Sequence, residues 1–358
     1  MTRLYVAMAL AGIATTMLGP LLPSFAQRGG MSDAQSGLLF TAQFLASVAS
    51  SAVAGPLGAR RGYGALIAAG LLITALGIAG CAIASPALLP VPVALYGCGL
   101  GLMTPAANLL AAASSPAGSA AAVMWINLSW SIGAVMAPLC VAGFRGAFLW
   151  ILAACVMATG VAMAAGRDGA PTPEPRKPVL GAGTLTLLTA ALLFLYTGTE
   201  ASLGGWLSSY ALRAEDTRGL WAVLPSIFWG AILLGRVASP PMLARLTSRG
   251  LALLGIAVAL AGAALLVTGY GPIAIVGATA LTGLGMSPVF PVVVAQYADR
   301  SGGNQAAGLI FSAAGLGGAV VPPLVGMLAA SSGSLRVGLA VVLVWMAGMM
   351  GLEWRLGR

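Results

Sequence analysis

The chain is 358 residues long, 59% hydrophobic and only 7% charged, and it contains no histidine. That charge content is far below the roughly 25% of a soluble domain, so the chain reads as a membrane protein, and histidine is removed as base, metal ligand or pH switch. Its net charge of +9 is not a nucleic-acid signal, because the Lys and Arg residues stand between apolar runs and no basic run is interleaved with aromatics.

Cutting the chain at charges, Pro and Gly leaves twelve apolar segments, most of them near the length of about 20 residues that crosses a bilayer. The first six cover 4–26, 34–56, 64–85, 88–113, 120–144 and 146–166. The second six cover 182–212, 220–239, 250–270, 272–297, 304–329 and 335–352. Met1-Thr2-Arg3 before a long apolar run resembles a signal peptide, but no small-residue cleavage site follows, so a retained first helix is expected. The four cysteines, Cys81, Cys98, Cys140 and Cys155, lie inside apolar segments without metal-ligand spacing and read as packing residues. No metal site, cofactor or enzyme constellation is expected.

Most connections are a few residues long, which makes neighbouring segments antiparallel. The longer one, 167–181, carries Pro171, Pro173, Pro175 and Pro178 and reads as a linker between a six-helix bundle at 1–166 and another at 182–358. The fold class expected is therefore all-α, with twelve transmembrane helices in two pseudo-symmetric six-helix bundles. Twelve basic residues fall on the N-terminus, even-numbered loops and C-terminus, counting Arg236, against five on the odd-numbered loops. That asymmetry predicts a multi-pass protein of a bacterial-type inner membrane with both termini and the linker in the cytoplasm. Three strings repeat at about half the chain length: GLGLMTP (99–105) with GLGMSP (283–288), GAVMAPL (133–139) with GAVVPPL (318–324), and ARRG (59–62) with TSRG (247–250). Three pairs in order at one offset imply duplicated halves in parallel.

With those features the chain resembles the major facilitator superfamily over its full length. GPLGARRGYG (55–64) is similar to that superfamily's G-x-L-A-D-R-x-G-R-R signature at Gly55, Leu57, Arg60 and Gly62. The signature Asp is Ala59 here, and the final basic pair is Tyr63 and Gly64. The resemblance implies alternating access, with those four residues in a conformational latch. GPLLP (19–23), YTGTEASLGGWLSSY (196–210), SIFWGAILLGR (226–236) and GLGMSPVFP (283–291) resemble the fucose permease and sodium-glucose transporter branch, which implies a sugar or polyol coupled to H+ or Na+. Where that permease carries acids in its first and fourth helices, this chain has Thr15, Thr16 and Asn108.

Glu200 is then the one carboxylate at membrane depth. A charge there costs roughly 2.5 to 3.5 kcal/mol by insertion scales, so an intramembrane acid is a functional candidate. On a helical wheel Tyr196, Thr199, Glu200, Leu203, Trp206 and Tyr210 share one face. Glu200 is the candidate for proton or ion coupling; the alternative is a protonated acid held by a neighbouring helix. Candidates for contacting a small-molecule substrate are Gln43, Asn108, Asn127, Trp130, Tyr196, Thr199, Trp206, Tyr210 and Trp229, with Ser131, Ser226 and Ser312 as further mid-membrane polar residues. Amides and hydroxyls suit a sugar's hydroxyls and an aromatic plate suits its apolar face, but buried Asn and Gln also join helices. Arg236 reads as an interface anchor at its helix end and not as the partner of Glu200. The function expected is secondary active transport of a small polar solute by a monomer in the lipid bilayer. Export of a drug or metabolite against protons is the alternative, although Ala137 before Pro138 departs from the exporters' fifth-helix Gly-Pro motif.

Overall fold

The computed structural model describes residues 1–114, 119–166, 183–300 and 307–356; the linker 167–181 and Arg358 lie outside them. The first half comprises α1 (Thr2–Thr16), α2 (Leu18–Gly29), α3 (Asp33–Arg61), α4 (Tyr63–Ile83), α5 (Pro90–Ser114), α6 (Ser119–Phe144) and α7 (Phe148–Ala164). The second comprises α8 (Thr184–Arg213), α9 (Val223–Leu243), α10 (Ser248–Thr268), α11 (Pro272–Met286), α12 (Val289–Arg300), α13 (Ala307–Ser332) and α14 (Leu335–Leu356). These fourteen α-helices make twelve crossings, because α1 with α2 and α11 with α12 are each one crossing broken in the middle.

Both breaks follow from proline chemistry. Pro20 has no N–H for the carbonyl of Thr16 and its ring crowds that carbonyl. Thr15 and Thr16 meanwhile turn their hydroxyls onto the carbonyls of Ala11 and Gly12, at 2.7 and 2.9 Å. The crossing bends by 42° at Met17. Pro288 does the same to Leu284, whose freed carbonyl accepts the Ser287 hydroxyl at 2.7 Å. The sequence alone suggests continuous segments here. Conversely, the apolar stretch Ala122–Ala164 is 43 residues long, about 65 Å at about 1.5 Å per residue, twice the hydrocarbon thickness. It reverses at Arg145, whose φ of 45° turns the chain between α6 and α7.

The helix pairings of the first half recur in the second. α1 packs on α6 and α7 as α8 packs on α13 and α14; α5 packs on α3 and α4 as α11 packs on α9 and α10; α4 packs on α7 as α10 packs on α14. The cross-pairs α3 with α13 and α9 with α6 exchange under the same correspondence and join the halves. Glycines sit at equivalent close approaches. A methyl on Gly133 meets the carbonyl of Ala9, and one on Gly317 meets that of Phe194, residues 185 positions apart (9 to 194). Gly97 and Gly99 face the carbonyls of Gln43 and Gly70 as Gly283 and Gly285 face those of Phe228 and Gly255. The structural equivalents of Gly283 and Gly285 thus lie two residues before the Gly99–Gly101 pair that the repeated string suggests.

Large apolar side chains remain exposed, such as Ile83 at 75%, Val91 at 67% and Ile273 at 89%, which suits a chain whose outer surface meets lipid and not water. Contacts between the halves concentrate on the face opposite the chain termini. There Arg213 at the end of α8 grips Asp33 at the start of α3 through two bonds of 2.5 and 2.9 Å. Nearby, Gly37 lies against Pro323, and the Thr41 hydroxyl donates to the carbonyl of Ala319 at 2.7 Å.

Candidate functional site

A cavity of about 310 Å³ lies between the halves. The first half contributes Thr15, Thr16 and Gly19 around the α1–α2 break, Phe40 and Phe44 of α3, and Trp130 of α6. The second contributes Thr197, Glu200, Ala201, Gly204 and Gly205 of α8, Trp229 of α9, Phe290 of α12, and Phe311 and Ala314 of α13. Six aromatic rings therefore enclose three hydroxyls and one carboxyl. Trp130 and Trp229 meet edge to face across the interface, with centroids 5.9 Å apart and planes at 83°. No hydrogen bond within the described residues uses either indole N–H.

Glycines seat the rings. A methyl on Gly204 would come within 2.7 Å of the Trp229 ring, one on Gly205 within 2.5 Å of Phe40, and one on Gly19 within 2.6 Å of the Gly204 carbonyl. The Gly204-Gly205 pair beside Trp206 was the sequence signal for this close packing. Reading glycines only as helix contacts overlooks it, and the phenylalanines and Thr197 carry no polar signature that marks them among core residues.

Glu200 retains 15% of its side-chain exposure and has two partners. The Tyr196 hydroxyl donates to its Oε1 at 3.0 Å, and the Arg236 guanidinium stands 3.6 Å from the same oxygen. This corrects the assignment of Arg236 as an anchor at its helix end. The expected segment stops at Ser239, but α9 continues through Pro240 and Pro241 to Leu243, which puts Arg236 more than a turn further inside. Removing Arg236 from the basic residues of the loops leaves the charge asymmetry at eleven against five. Arg236 also donates to the Ser131 hydroxyl of α6 at 3.4 Å, so one guanidinium touches both halves.

The other candidates occupy distinct places. Tyr196 is buried, with its ring 5.5 Å from that of Phe290. Thr199 is fully buried and its hydroxyl has no partner within the described residues. Trp206 lies outside the cavity lining and donates its indole N–H to the carbonyl of Pro322 at 3.0 Å, tying α8 to α13. Tyr210 donates to the carbonyl of Leu266 at 2.7 Å and lies under Arg336. Gln43 is buried, donates to the carbonyl of Thr15 at 2.9 Å and accepts from Tyr96 at 3.0 Å, bracing the α1–α2 break. Asn127 donates to Asn108 at 2.7 Å, joining α6 to α5, and the Ser131 hydroxyl donates to the carbonyl of Asn127 at 3.0 Å. Ser226 donates to the carbonyl of Val135 at 2.9 Å. Of the predicted substrate contacts, Trp130 and Trp229 are the ones that line the cavity beside Glu200.

In the loop from α3 to α4, Gly62 has φ of 87°, a conformation that favours glycine. Gly58 admits the Tyr63 ring, Gly55 has open space around it, and Leu57 and Arg60 are exposed. Within the described residues no group of three or more His, Cys, Asp or Glu is placed to hold a metal ion.

A family model described as Major Facilitator Superfamily matches residues 4–307. Among curated proteins, major facilitator superfamily domain-containing protein 4A of Pongo abelii is 31% identical over 152 residues, which is 41% of this chain and 30% of that protein. The Homo sapiens protein of the same name is 30% identical over 149 residues, 40% of this chain and 29% of its own length. The chain thus matches under a third of the length of these relatives. Among solved structures, a D-xylose–proton symporter aligns with a TM-score of 0.82 at 13% identity, covering 99% of this chain and 96% of that one. The E. coli fucose:proton symporter aligns with a TM-score of 0.67 at 18% identity, covering 100% and 98%. These likenesses establish the shared fold.

Proposed function

The chain belongs to the major facilitator superfamily, and on that premise we propose that it is a proton-coupled secondary transporter whose central cavity carries one small polar solute at a time. It is a membrane transporter, not an enzyme. The observation that carries the coupling is Glu200: an acid on the wall of the cavity between the halves, hydrogen-bonded by Tyr196 and beside Arg236. Two names among the structural neighbours, the fucose:proton and D-xylose–proton symporters, support a sugar or related metabolite as solute. Trp130 and Trp229 supply aromatic faces for it, with Thr197 and the two indole N–H groups as hydrogen-bonding partners.

The ion is a proton by this reading. A guanidinium 3.6 Å from Glu200 repels a sodium ion entering the same carboxylate, whereas a proton neutralises the acid and frees the arginine. With inter-half contacts gathered on the face opposite the termini, the structure represents the state closed on that side. The excess of basic residues on the other side supports termini in the cytoplasm and, with them, the reading of an inward-facing state. Export of a metabolite against protons is the second reading, favoured by the six aromatic rings of the lining.

The test is Glu200→Gln, which preserves shape and removes titration, reconstituted into proteoliposomes. Gradient-driven accumulation should be lost while exchange of labelled for unlabelled solute persists. Undiminished uphill transport by this variant overturns the assignment of Glu200.

A further inference from the structure

The charge arrangement of the cavity specifies more about the solute than its size does. Glu200 and Arg236 sum to zero, and among the described residues Arg236 is the one salt-bridge partner of Glu200, whose carboxyl otherwise meets the uncharged Tyr196 hydroxyl. Among the described residues Arg236 stands against Glu200 and the uncharged Ser131, with the Tyr196 hydroxyl as a further uncharged polar neighbour. If Glu200 takes up a proton, the guanidinium loses its counter-charge inside the membrane span. A neutral sugar cannot replace that charge, and a half-desolvated cation is the state that buried ion pairs avoid. Arg236 is not itself a lining residue of the cavity but stands 3.6 Å from Glu200, which is, and its side chain keeps 30% of its exposure, so a ligand that takes the place of Glu200 can reach it.

We propose that the solute is a small organic monocarboxylate, taken up together with one proton as an electroneutral pair. The inference rests on the reading that this cavity is the transport site and that Glu200 carries the proton. The balance is simple: one proton moves onto Glu200, one carboxylate replaces Glu200 as the partner of Arg236, and the site stays neutral before and after loading. A carboxylate matches the forked donors of a guanidinium. The body of the solute then lies against Trp130 and Trp229, whose indole N–H groups are free to meet hydroxyls on it. Sugar acids, hydroxy acids and aromatic acids share this chemistry, and the cavity of about 310 Å³ admits one such molecule. Arg236 also explains how loading is felt by both halves, since its second contact, Ser131, belongs to α6. A carboxylate that draws the guanidinium toward the aromatic rings stretches a contact of 3.4 Å that already lies at the limit of a hydrogen bond.

The experiment uses the full chain in proteoliposomes with an inward proton gradient and matched probes: glucuronate against glucose, and benzoate against benzyl alcohol. Uptake of at least one carboxylate over its neutral counterpart is expected, unchanged when the membrane potential is clamped with potassium and valinomycin. Arg236→Gln should reduce that uptake about tenfold or more, since a hydrogen bond to a charged group is lost, while Arg236→Lys retains part of it. Size-exclusion profiles of both variants monitor folding. Proton-driven, Glu200-dependent uptake of the neutral probes alone, or uptake that moves net positive charge, overturns the anion and leaves the proton-coupled reading intact. Uptake of neither kind of probe overturns both.

Discussion

Replacing Arg213 by Ala removes the paired bonds to Asp33 that join α8 to α3 on the face opposite the termini. The two side chains retain 42% and 19% exposure, so solvent screens the pair and its energy belongs to the range of exposed ion pairs, 0.2 to about 1 kcal/mol. Bidentate geometry at 2.5 and 2.9 Å places it at the upper end, about 1 kcal/mol. This bond exists only while that face is closed, so its loss shifts the balance between closed and open states by about fivefold. A cysteine placed at Ala201, in a background with the four native cysteines replaced, reports the shift through labelling by an impermeant maleimide added on the Asp33 side. Labelling in Arg213→Ala should be about fivefold faster. The exchanged pair, Asp33→Arg with Arg213→Asp, should return it toward the original rate. An unchanged rate in Arg213→Ala refutes the lock; so does a charge exchange that behaves like the single variant.

Two further outcomes follow from the cavity walls. Gly204→Val drives a methyl-bearing carbon to within 2.7 Å of the Trp229 ring, and overpacking of about 1 to 3 kcal/mol should lower uptake by roughly tenfold or more through displacement of that ring; normal uptake would mean that Trp229 does not shape the solute site. Trp229→Phe should raise the KM for uptake several-fold, whereas Trp206→Phe should leave KM alone and lower thermal stability by about 1 kcal/mol through loss of the bond to Pro322; the reverse pattern returns Trp206 to the solute site.

The parts of the molecule legible in the sequence are those governed by local rules. Apolar length gave the crossings and the repeated strings gave the duplicated halves, while the proline-rich linker 167–181 lies outside the described residues. The register of the repeat was less secure. Glycines at 97, 99 and 101 look alike in one dimension, and only the backbones they touch tell which pair answers Gly283 and Gly285. Glu200 stood out because a carboxylate is rare at that depth. Its partner did not, because Pro240 and Pro241 resemble a helix end and hid how far inside α9 Arg236 lies. The stripe of α8 was legible as a stripe, yet it divides between two roles. Tyr196 and Glu200 turn toward the interface chemistry, while Trp206 and Tyr210, further along the same helix, spend their polar groups on the carbonyls of α13 and α10. Which carbonyl lies within reach is a property of the packed neighbours, and helical spacing alone carries no record of it.

The central claim is that solute and proton cross together through Glu200. Its most direct measurement is the internal pH of proteoliposomes loaded with a fluorescent pH indicator and given a pulse of transported solute with no imposed gradient. Under import with a proton, the wild-type lumen acidifies in step with solute entry, and Glu200→Gln vesicles exchange solute without any pH change. Solute entry into wild-type vesicles at constant internal pH, or acidification that persists in Glu200→Gln, contradicts the account.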